Sequence, residues 1–226
     1  MSAENFKTCY GLEGIDSLLF SILRDVKRGF YIDVGANHPE IISNTYALYL
    51  NGWTGICIDG NEQLAKLWKS QRPNDHFLTK LLSDKIKNVD YTIYPDHTIS
   101  TINYDSKLRY NQRFKSSDIT THSVQTDTLQ NVLDDFEIFN EIHLLSLDIE
   151  GEELNALRGL DFEKNAPGVV VVEIKNMSLY NLKDNDVFNF LMSKGYVMVC
   201  KLLLDAVFIK PEKTYLEWIP KSLLTL

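Results

Sequence analysis

The stretch FYIDVGAN, residues 30–37, decides the fold: an apolar run ends in Asp33, passes through Gly35 and leads toward a helix-like segment. In an open α/β sheet, a buried strand that delivers a carboxylate and then a glycine turn presents a nucleotide-like ligand at the C-terminal end of that strand. GICIDGN, residues 55–61, repeats the pattern, with Asp59 standing 26 positions after Asp33. That interval matches one strand-helix-strand unit and lies near the ~20-residue offset at which an acidic side chain meets a ribose diol. LLSLDIEGEE (144–153) and VVVVEIKN (169–176) end in carboxylates in the same way, so four strands are expected to supply a ligand-binding rim.

Outward from these runs the chain alternates. Ile15, Leu18, Leu19, Ile22, Leu23 and Val26 share a helical face, which predicts a covering helix within residues 1–29. Ser43 can cap a helix that puts Tyr46, Tyr49, Leu50 and Trp53 on one side before Gly52 ends it. Asn61 can cap another, with Leu64, Leu67 and Trp68 inward, closed by Arg72-Pro73 because the residue before a proline is pushed out of the helical region. A third strand is predicted over His76–Leu82. From Val89 to Gln125 no period persists around Tyr104, Arg109, Tyr110, Arg113 and Phe114, which reads as an inserted hairpin and loop. A crossover helix over Leu129–Phe139, a central strand over Ile142–Leu147, a helix over Glu152–Arg158 stopped by Gly159, a buried strand over Val169–Val172 ending in Glu173, and a helix from Asp184 or Asn185 to Lys194 follow. YVMVCKLLLDAVFIK closes the chain as two strands meeting near Asp205, so close together that they must be antiparallel.

With 226 residues, 44% hydrophobic and 24% charged, the whole chain (1–226) fits one domain with a sizeable core. A net charge of −8 argues against nucleic acid or an anionic membrane as the main partner, since both demand clustered cations. MSAENFKTCYGLEG lacks a cationic start followed by an apolar core and no later run suits a membrane span, so a cytoplasmic protein is expected. Cys9, Cys57 and Cys200 are odd in number and widely spaced, which fits reduced thiols, buried in the case of Cys57 and Cys200. His38, His76, His97, His122 and His143 show no spacing for a histidine metal cluster.

The expected fold is therefore α/β and Rossmann-like: a mostly parallel, seven-stranded sheet between helices with an antiparallel C-terminal hairpin. That hairpin separates two nucleotide-binding architectures. NAD-type dehydrogenases continue with parallel units, whereas the class I S-adenosylmethionine-dependent methyltransferase architecture ends its sheet with a reversed strand, as here. The block DVGANHPEIISNTYALYLNGWTGICIDGN (33–61) resembles the opening of the FkbM family of methyltransferases, and STINY (100–104), LDIEGEELNALRG (147–159) and VVVVEI (169–174) resemble its later blocks in the same order. The similarity covers about residues 29–210. It implies S-adenosylmethionine as methyl donor and a hydroxyl of a sugar or glycan as acceptor. Two departures stand out: Asp59-Gly60 replaces the Glu-Pro of many relatives, and His38-Pro39 replaces a glycine-containing loop.

On that resemblance Asp33 would accept from the donor's amino group, Gly35 would allow close backbone approach, Asn37 would line the amino-acid end, Asp59 would hold the ribose, and Ser83 and Asp84 would reach the adenine edge. The competing reading makes Asp33, Asn37, Ser83 and Asp84 turn formers. Methyl transfer to a sugar hydroxyl needs an aligned oxygen and removal of its proton. Asp148, Glu150, Glu173 or His38 could act as base; alternatively Asp148, Glu173 and Asn176, which resemble the oxygen ligands of cation-dependent catechol-type methyltransferases, could hold magnesium or manganese. The bland alternative has Glu150 and Glu153 capping the next helix and Glu173 paired with Lys175 or an arginine. Tyr104, Arg109, Tyr110 and Arg113 could grip a sugar ring. Competing functions are methylation of a small-molecule or protein acceptor, and a donor-binding subunit without catalysis; RNA is disfavoured by the acidic balance.

Overall fold

Neighbouring residues on a strand point to opposite sides of the sheet, and here both sides are apolar. In β1 (Phe30–Val34), Ile32 and Val34 enter one core cluster and Tyr31 the other. The same division runs through β2 (Thr54–Asp59), where Ile56 and Ile58 oppose Cys57, and β8 (Val169–Glu173), where Val170 and Val172 oppose Val169 and Val171. Each buried valine contributes about 1.5–3 kcal/mol relative to an exposed one, which explains why this strand reads as a continuous apolar run. The computed structural model describes residues 9–137, 141–175, 177–220 and 222.

With β3 (His76–Thr79), β7 (Leu144–Leu147), β9 (Val197–Lys201) and β10 (Asp205–Ile209) these strands form a seven-stranded sheet in the order β3-β2-β1-β7-β8-β10-β9. Only β10 is reversed within this sheet: it runs antiparallel to β8, with Asp205 opposite Glu173, and antiparallel to β9. The expected Rossmann-like architecture with its antiparallel hairpin is the one observed. One face is covered by α1 (Ile15–Ile22), α2 (Tyr46–Leu50) and α3 (Ala65–Gln71) through residues such as Leu19, Leu48 and Trp68. The other carries α5 (Leu129–Asp135), α6 (Glu153–Arg158), α7 (Phe162–Asn165) and α8 (Asp186–Ser193) through Val132, Leu157, Phe162 and Leu191. Of these helices, α8 is capped by Asn185 as the sequence suggests, and α5 by Thr128, which the sequence reading did not name. Thr128 accepts from Asn131 N–H at 3.1 Å and Asn185 from Phe188 N–H at 2.9 Å.

Four details differ from the sequence reading. The predicted strand over His76–Leu82 breaks at Lys80, because Leu81–Leu82 (β4) leaves the main sheet to pair with β6 (Thr120–Asp127), which also pairs with β5 (Asn88–Ile93) in a separate three-stranded sheet. The segment between β5 and β6 is not a bare loop: it contains α4 (Tyr104–Tyr110), whose buried positions are Ser106 and Tyr110 and thus show little apolar period. In α2 the inward residues are Ala47 and Leu48, whereas Leu50 is 54% exposed. Cys57 is buried as expected, but Cys200 lies only half-buried on the edge strand β9. The end of the predicted crossover helix, residues 138–139, lies outside the described residues. Among the described residues no helix is long and apolar enough to cross a membrane.

Candidate active site

The C-terminal ends of β1, β2 and β7 open onto a cleft whose outer wall comes from β4, β5 and the segment before α4. Its floor begins at Gly35, whose φ of +77° and absent Cβ let β1 pass against the Asp148 carbonyl. Gly35 N–H donates to Ile58 O at 2.9 Å, locking the ends of β1 and β2 together. Asn37 follows with φ +42°, a conformation uncommon outside glycine. It is over-determined: its N–H donates to Asp59 Oδ2 at 2.9 Å and its carbonyl accepts from Trp68 Nε1 at 2.7 Å. Its side-chain Oδ1 is nevertheless buried with no hydrogen-bond partner among the described residues. A buried acceptor without a donor costs free energy, and Asn37 lines the cleft, so its amide oxygen is suited to a ligand's N–H or O–H. Asp59 lines the cleft at the end of β2, with its carboxylate held by the N–H groups of Asn37 (2.9 Å) and Asn61 (2.8 Å), a group of the type that binds a diol. Next to it Ile58, Leu82 and Tyr91 form an apolar slot. Gly60 is what admits the Tyr91 ring, since a Cβ there would lie 2.8 Å from Tyr91 Cζ. A proline in place of Gly60 would collide with that ring, which accounts for the departure at Asp59-Gly60. These residues fit a nucleoside carrying an amino-acid tail: an acid for the ribose, an apolar slot for a base and an unpaired amide oxygen for polar hydrogen.

The far end of the cleft is acidic. Oxygens of Asp148, Glu150 and Glu173 lie within 4.8 Å of one another. Lys175 Nζ donates to Glu150 Oε2 at 2.6 Å and Glu173 Oε2 at 2.9 Å, and Tyr110 Oη donates to the same Glu150 oxygen. Glu150 sits at φ +55°, and its carbonyl is tied to Thr101 Oγ1 at 2.9 Å. Glu153 accepts from Ile149 and Gly151 N–H at 3.1 and 3.0 Å, closing the loop on itself. Burial, then the Lys175 pair working against it and the other glutamates with it, leaves the Glu173 carboxyl pushed up to about 7. Asp148 is also raised, by the surrounding protein and then by Glu173, Glu150 and Glu153. Its side chain keeps an exposed face on the cleft, so carboxylate crowding is the firmer of those causes. Burial alone would lower Lys175; its bonds to Glu150 and Glu173 reverse that and raise it. Burial first and then Glu150 push the Tyr110 phenol up to about 12.

The structure redistributes several expected site residues. Asp33 does not line the cleft. It shares the β1 face of Tyr31, where its Oδ2 accepts from Thr45 Oγ1 at 2.5 Å beneath α2. His38 turns into its own loop, its Nδ1 accepting from Glu40 and Ile41 N–H at 3.1 and 3.0 Å. With Nδ1 so used, the neutral ring carries its proton on Nε2 and donates there, which does not suit a base. Ser83 is buried and donates to Asp84, and Asp84 pairs with Lys87 at 3.2 Å; Leu81 and Leu82 take the cleft positions instead. Tyr104 is 71% exposed and Arg109 bonds Ser106 Oγ at 3.0 Å, while Tyr110 is buried in the acidic cluster. Asn176 lies outside the described residues. The pairing of Glu173 with Lys175, read from the sequence as the bland alternative, is present, and Lys175 also holds Glu150; residues not foreseen are Tyr91, and Thr101 with Asn103, which bind the Glu150–Glu152 loop. Asn103 Nδ2 donates to Gly151 O and Glu152 Oε1, both at 3.1 Å. The signal for α4 was present: Asn103 as cap, Asp105 in the first turn, Lys107 and Arg109 in the last.

As built, the acidic cluster does not fit a magnesium or manganese ion. Two of the three carboxylates that such an ion would draw to one centre, Glu150 and Glu173, are already bonded to the Lys175 ammonium. At the neighbouring strand pair, Asp205 is buried beside Glu13, and burial first and then Glu13 push it up to about 6. A raised acid destabilises the fold as pH climbs from the ordinary aspartate value through 6. Asp205→Asn is therefore expected to raise stability by about 2–3 kcal/mol at pH 8 and by only about 1 kcal/mol at pH 4.5. Urea midpoints at both values check this; an equal gain at the two would remove ionisation as its cause.

A seven-stranded sheet with one reversed strand and a strand-end cleft carrying an acid after β2 is the architecture of class I methyltransferases. The methyltransferase FkbM domain model matches residues 33–198, and the chain belongs to that family. The domain is accordingly of the S-adenosylmethionine-dependent class. A curated relative, Methyltransferase 1 of Beauveria bassiana, is 30% identical over 105 residues, 46% of this chain and 36% of that protein, so the match spans about a third of the relative's length. Among solved structures, a TehB-like S-adenosylmethionine-dependent methyltransferase from Corynebacterium glutamicum is similar with a TM-score of 0.46 at 12% identity, over 87% of both chains. A provisional RNA methyltransferase from Pyrococcus horikoshii gives 0.47 at 12% identity, over 95% of this chain and 90% of that one. A precorrin-6y C5,15-methyltransferase from Geobacter metallireducens gives 0.44 at 12% identity, over 92% and 94%.

Proposed function

We propose that this domain methylates a hydroxyl of a sugar or glycan, with S-adenosylmethionine as donor. The observation that carries the reading is the acidic cluster at the end of the donor cleft, where Asp148 lines the cleft within 4.8 Å of Glu150 and Glu173. S-Adenosylmethionine, when bound, supplies an activated methyl group on a sulfonium. Asp59 would hold the ribose hydroxyls, Asn37 Oδ1 would accept from the polar tail, and Ile58, Leu82 and Tyr91 would cover the base. A hydroxyl is a weak nucleophile until its proton leaves, and a carboxylate whose pKa is raised toward the working pH is a better base than an ordinary one. Asp148 is the group placed to take that proton, with Glu173 beside it. The exposed ring of Tyr104, on the helix that carries Tyr110 into the acidic cluster, offers a flat apolar face of the kind that stacks on a sugar, and Arg109 stands on the same helix. The net charge of −8 weighs against an RNA acceptor.

A second acceptor reading has its own observation. Leu179 and Leu203, 64% and 88% exposed, line with Met177 and Leu202 an open groove near the end of β8. Leu204 O accepts from Ile174 N–H at 2.9 Å, one residue beyond Glu173, so this groove adjoins the acidic cluster. An acceptor that carries an apolar arm would cover it.

Calorimetry tests the donor half. The parent is expected to bind S-adenosylmethionine and not NAD, and Asp59→Ala to bind it roughly 10- to 100-fold more weakly, because a charge-assisted bond worth ~1.5–3 kcal/mol is removed. Equal binding by Asp59→Ala would take the ribose away from Asp59. Mass spectrometry of a glycan panel incubated with labelled donor tests the acceptor half, and label appearing only on small molecules or protein would replace the sugar reading.

A further inference from the structure

We propose that Lys175 is a positioning residue whose ammonium stands where a divalent cation would otherwise sit, making the acidic cluster complete without metal. The inference rests on the methyltransferase reading above and deepens its chemistry.

The ammonium has three N–H donors and three oxygen partners: Glu150 Oε2 at 2.6 Å, Glu173 Oε2 at 2.9 Å and Tyr110 Oη at 3.3 Å. Those partners come from three separate parts of the chain: the loop after β7, the end of β8 and the last turn of α4. The Glu150 and Glu173 side chains are 9% and 6% exposed, so their charges need an internal partner. Tyr110 adds a proton to the Glu150 oxygen that Lys175 already holds. Glu150 keeps a left-handed backbone at φ +55°, a conformation that persists only where the surroundings fix it. Here Thr101 fixes its carbonyl, and Lys175 with Tyr110 fix its carboxylate. Asp148 and Glu150 both line the cleft, and of these two Lys175 holds only the Glu150 carboxylate. A second cation at this place would meet a fixed positive charge and two carboxylates already bonded to it.

Manganese titration of the full chain, followed by calorimetry without donor or acceptor, separates this idea from a purely structural ion pair. The parent and Lys175→Arg are expected to show no saturable binding in the micromolar range. Lys175→Met leaves three carboxylates without their ammonium and is expected to bind Mn²⁺ at least roughly 100-fold more tightly than the parent, since a unit positive charge a few ångström away is gone. Glu173→Gln added to Lys175→Met should abolish the gain. Should Lys175→Met fail to fold, Lys175→Gln replaces it, and the parent titration remains decisive by itself. Micromolar Mn²⁺ binding by the parent that disappears in Glu173→Gln overturns the proposal. So does a folded Lys175→Met or Lys175→Gln protein that gains no affinity. Failure of S-adenosylmethionine binding in the parent would instead overturn the methyltransferase reading, and this titration does not depend on it.

Discussion

Gly35→Ala is expected to abolish donor binding. A Cβ at this position would stand 1.7 Å from the Asp148 carbonyl oxygen and 2.7 Å from its carbon, and Ile149 Cγ2 closes the third side at 3.2 Å. The obstacle is backbone and not a movable side-chain end. It is also the backbone of β7's exit, which pairs directly with β1 from Tyr31–Leu144 to Val34–Leu147. Relief requires the ends of β1 and β7 to part, and that displaces Asn37 and Asp148 together. The left-handed φ of +77° costs an alanine about 1 kcal/mol, and forced overpacking adds typically ~1–3 kcal/mol or more. Gly14→Ala isolates the first of these terms. Gly14 has nearly the same φ, +75°, with nothing within 4 Å of its would-be Cβ. Urea midpoints and donor calorimetry on both variants should show a small stability loss with intact binding for Gly14→Ala, and a larger loss with binding gone for Gly35→Ala. Matching behaviour of the two would mean that the contact with Asp148 does not shape the donor site.

That contact lay within reach of the sequence only in part. The order of strands and helices was legible because each central strand is buried on both faces and reads as an apolar run ending in a carboxylate. Asp33 shows where this reasoning stops: strand alternation places it on the side of Tyr31, so a carboxylate at a strand's end need not point out of that end. Its partner Thr45 arrives from the segment just before α2 and its neighbour Ser146 from a strand more than a hundred residues away, and no local pattern announces either. The break at Lys80 was hidden for a similar reason. His76–Leu82 is one apolar-rich run in sequence, but its last two residues pair with β6 in another sheet. Lys175 was weighed as a plain partner of Glu173; what only the fold supplies is Glu150 and Tyr110 converging on the same ammonium. His38 carried the right chemistry in the right loop, and two backbone N–H groups claim the nitrogen that a base would use.

Replacement of Arg72 is expected to have the largest effect on stability. The sequence marks this residue only as the end of a helix before Pro73, yet its side chain is fully buried with that of Asp75. Every guanidinium donor finds an oxygen: Nε reaches Asp75 Oδ2 at 2.7 Å, Nη1 reaches Pro39 O and Ser43 Oγ at 3.0 and 3.2 Å, and Nη2 reaches Tyr31 Oη and Thr45 Oγ1 at 2.6 and 3.0 Å. Pro39, Ser43 and Thr45 all belong to the segment between β1 and α2, so one side chain fastens the loop that carries Asn37 into the donor cleft. Arg72→Ala strands Asp75 as a buried charge, removes the cation facing Asp33 and leaves the Tyr31 hydroxyl a partner short. Breaking such a pair costs about 3–5 kcal/mol, a large part of the ~5–15 kcal/mol that holds a domain folded. Lysine cannot substitute, since a three-donor point charge has no planar fork with which to meet five partners. Removing both charges should cost less than the two single changes together, because the stranded carboxylate is then gone. Urea unfolding of Arg72→Met, Asp75→Asn and the pair therefore forms a double-mutant cycle with an expected coupling of ~2–3 kcal/mol. Additive losses would show that Arg72 acts by filling space, and donor calorimetry on whichever variant stays folded would report whether the loop still presents Asn37.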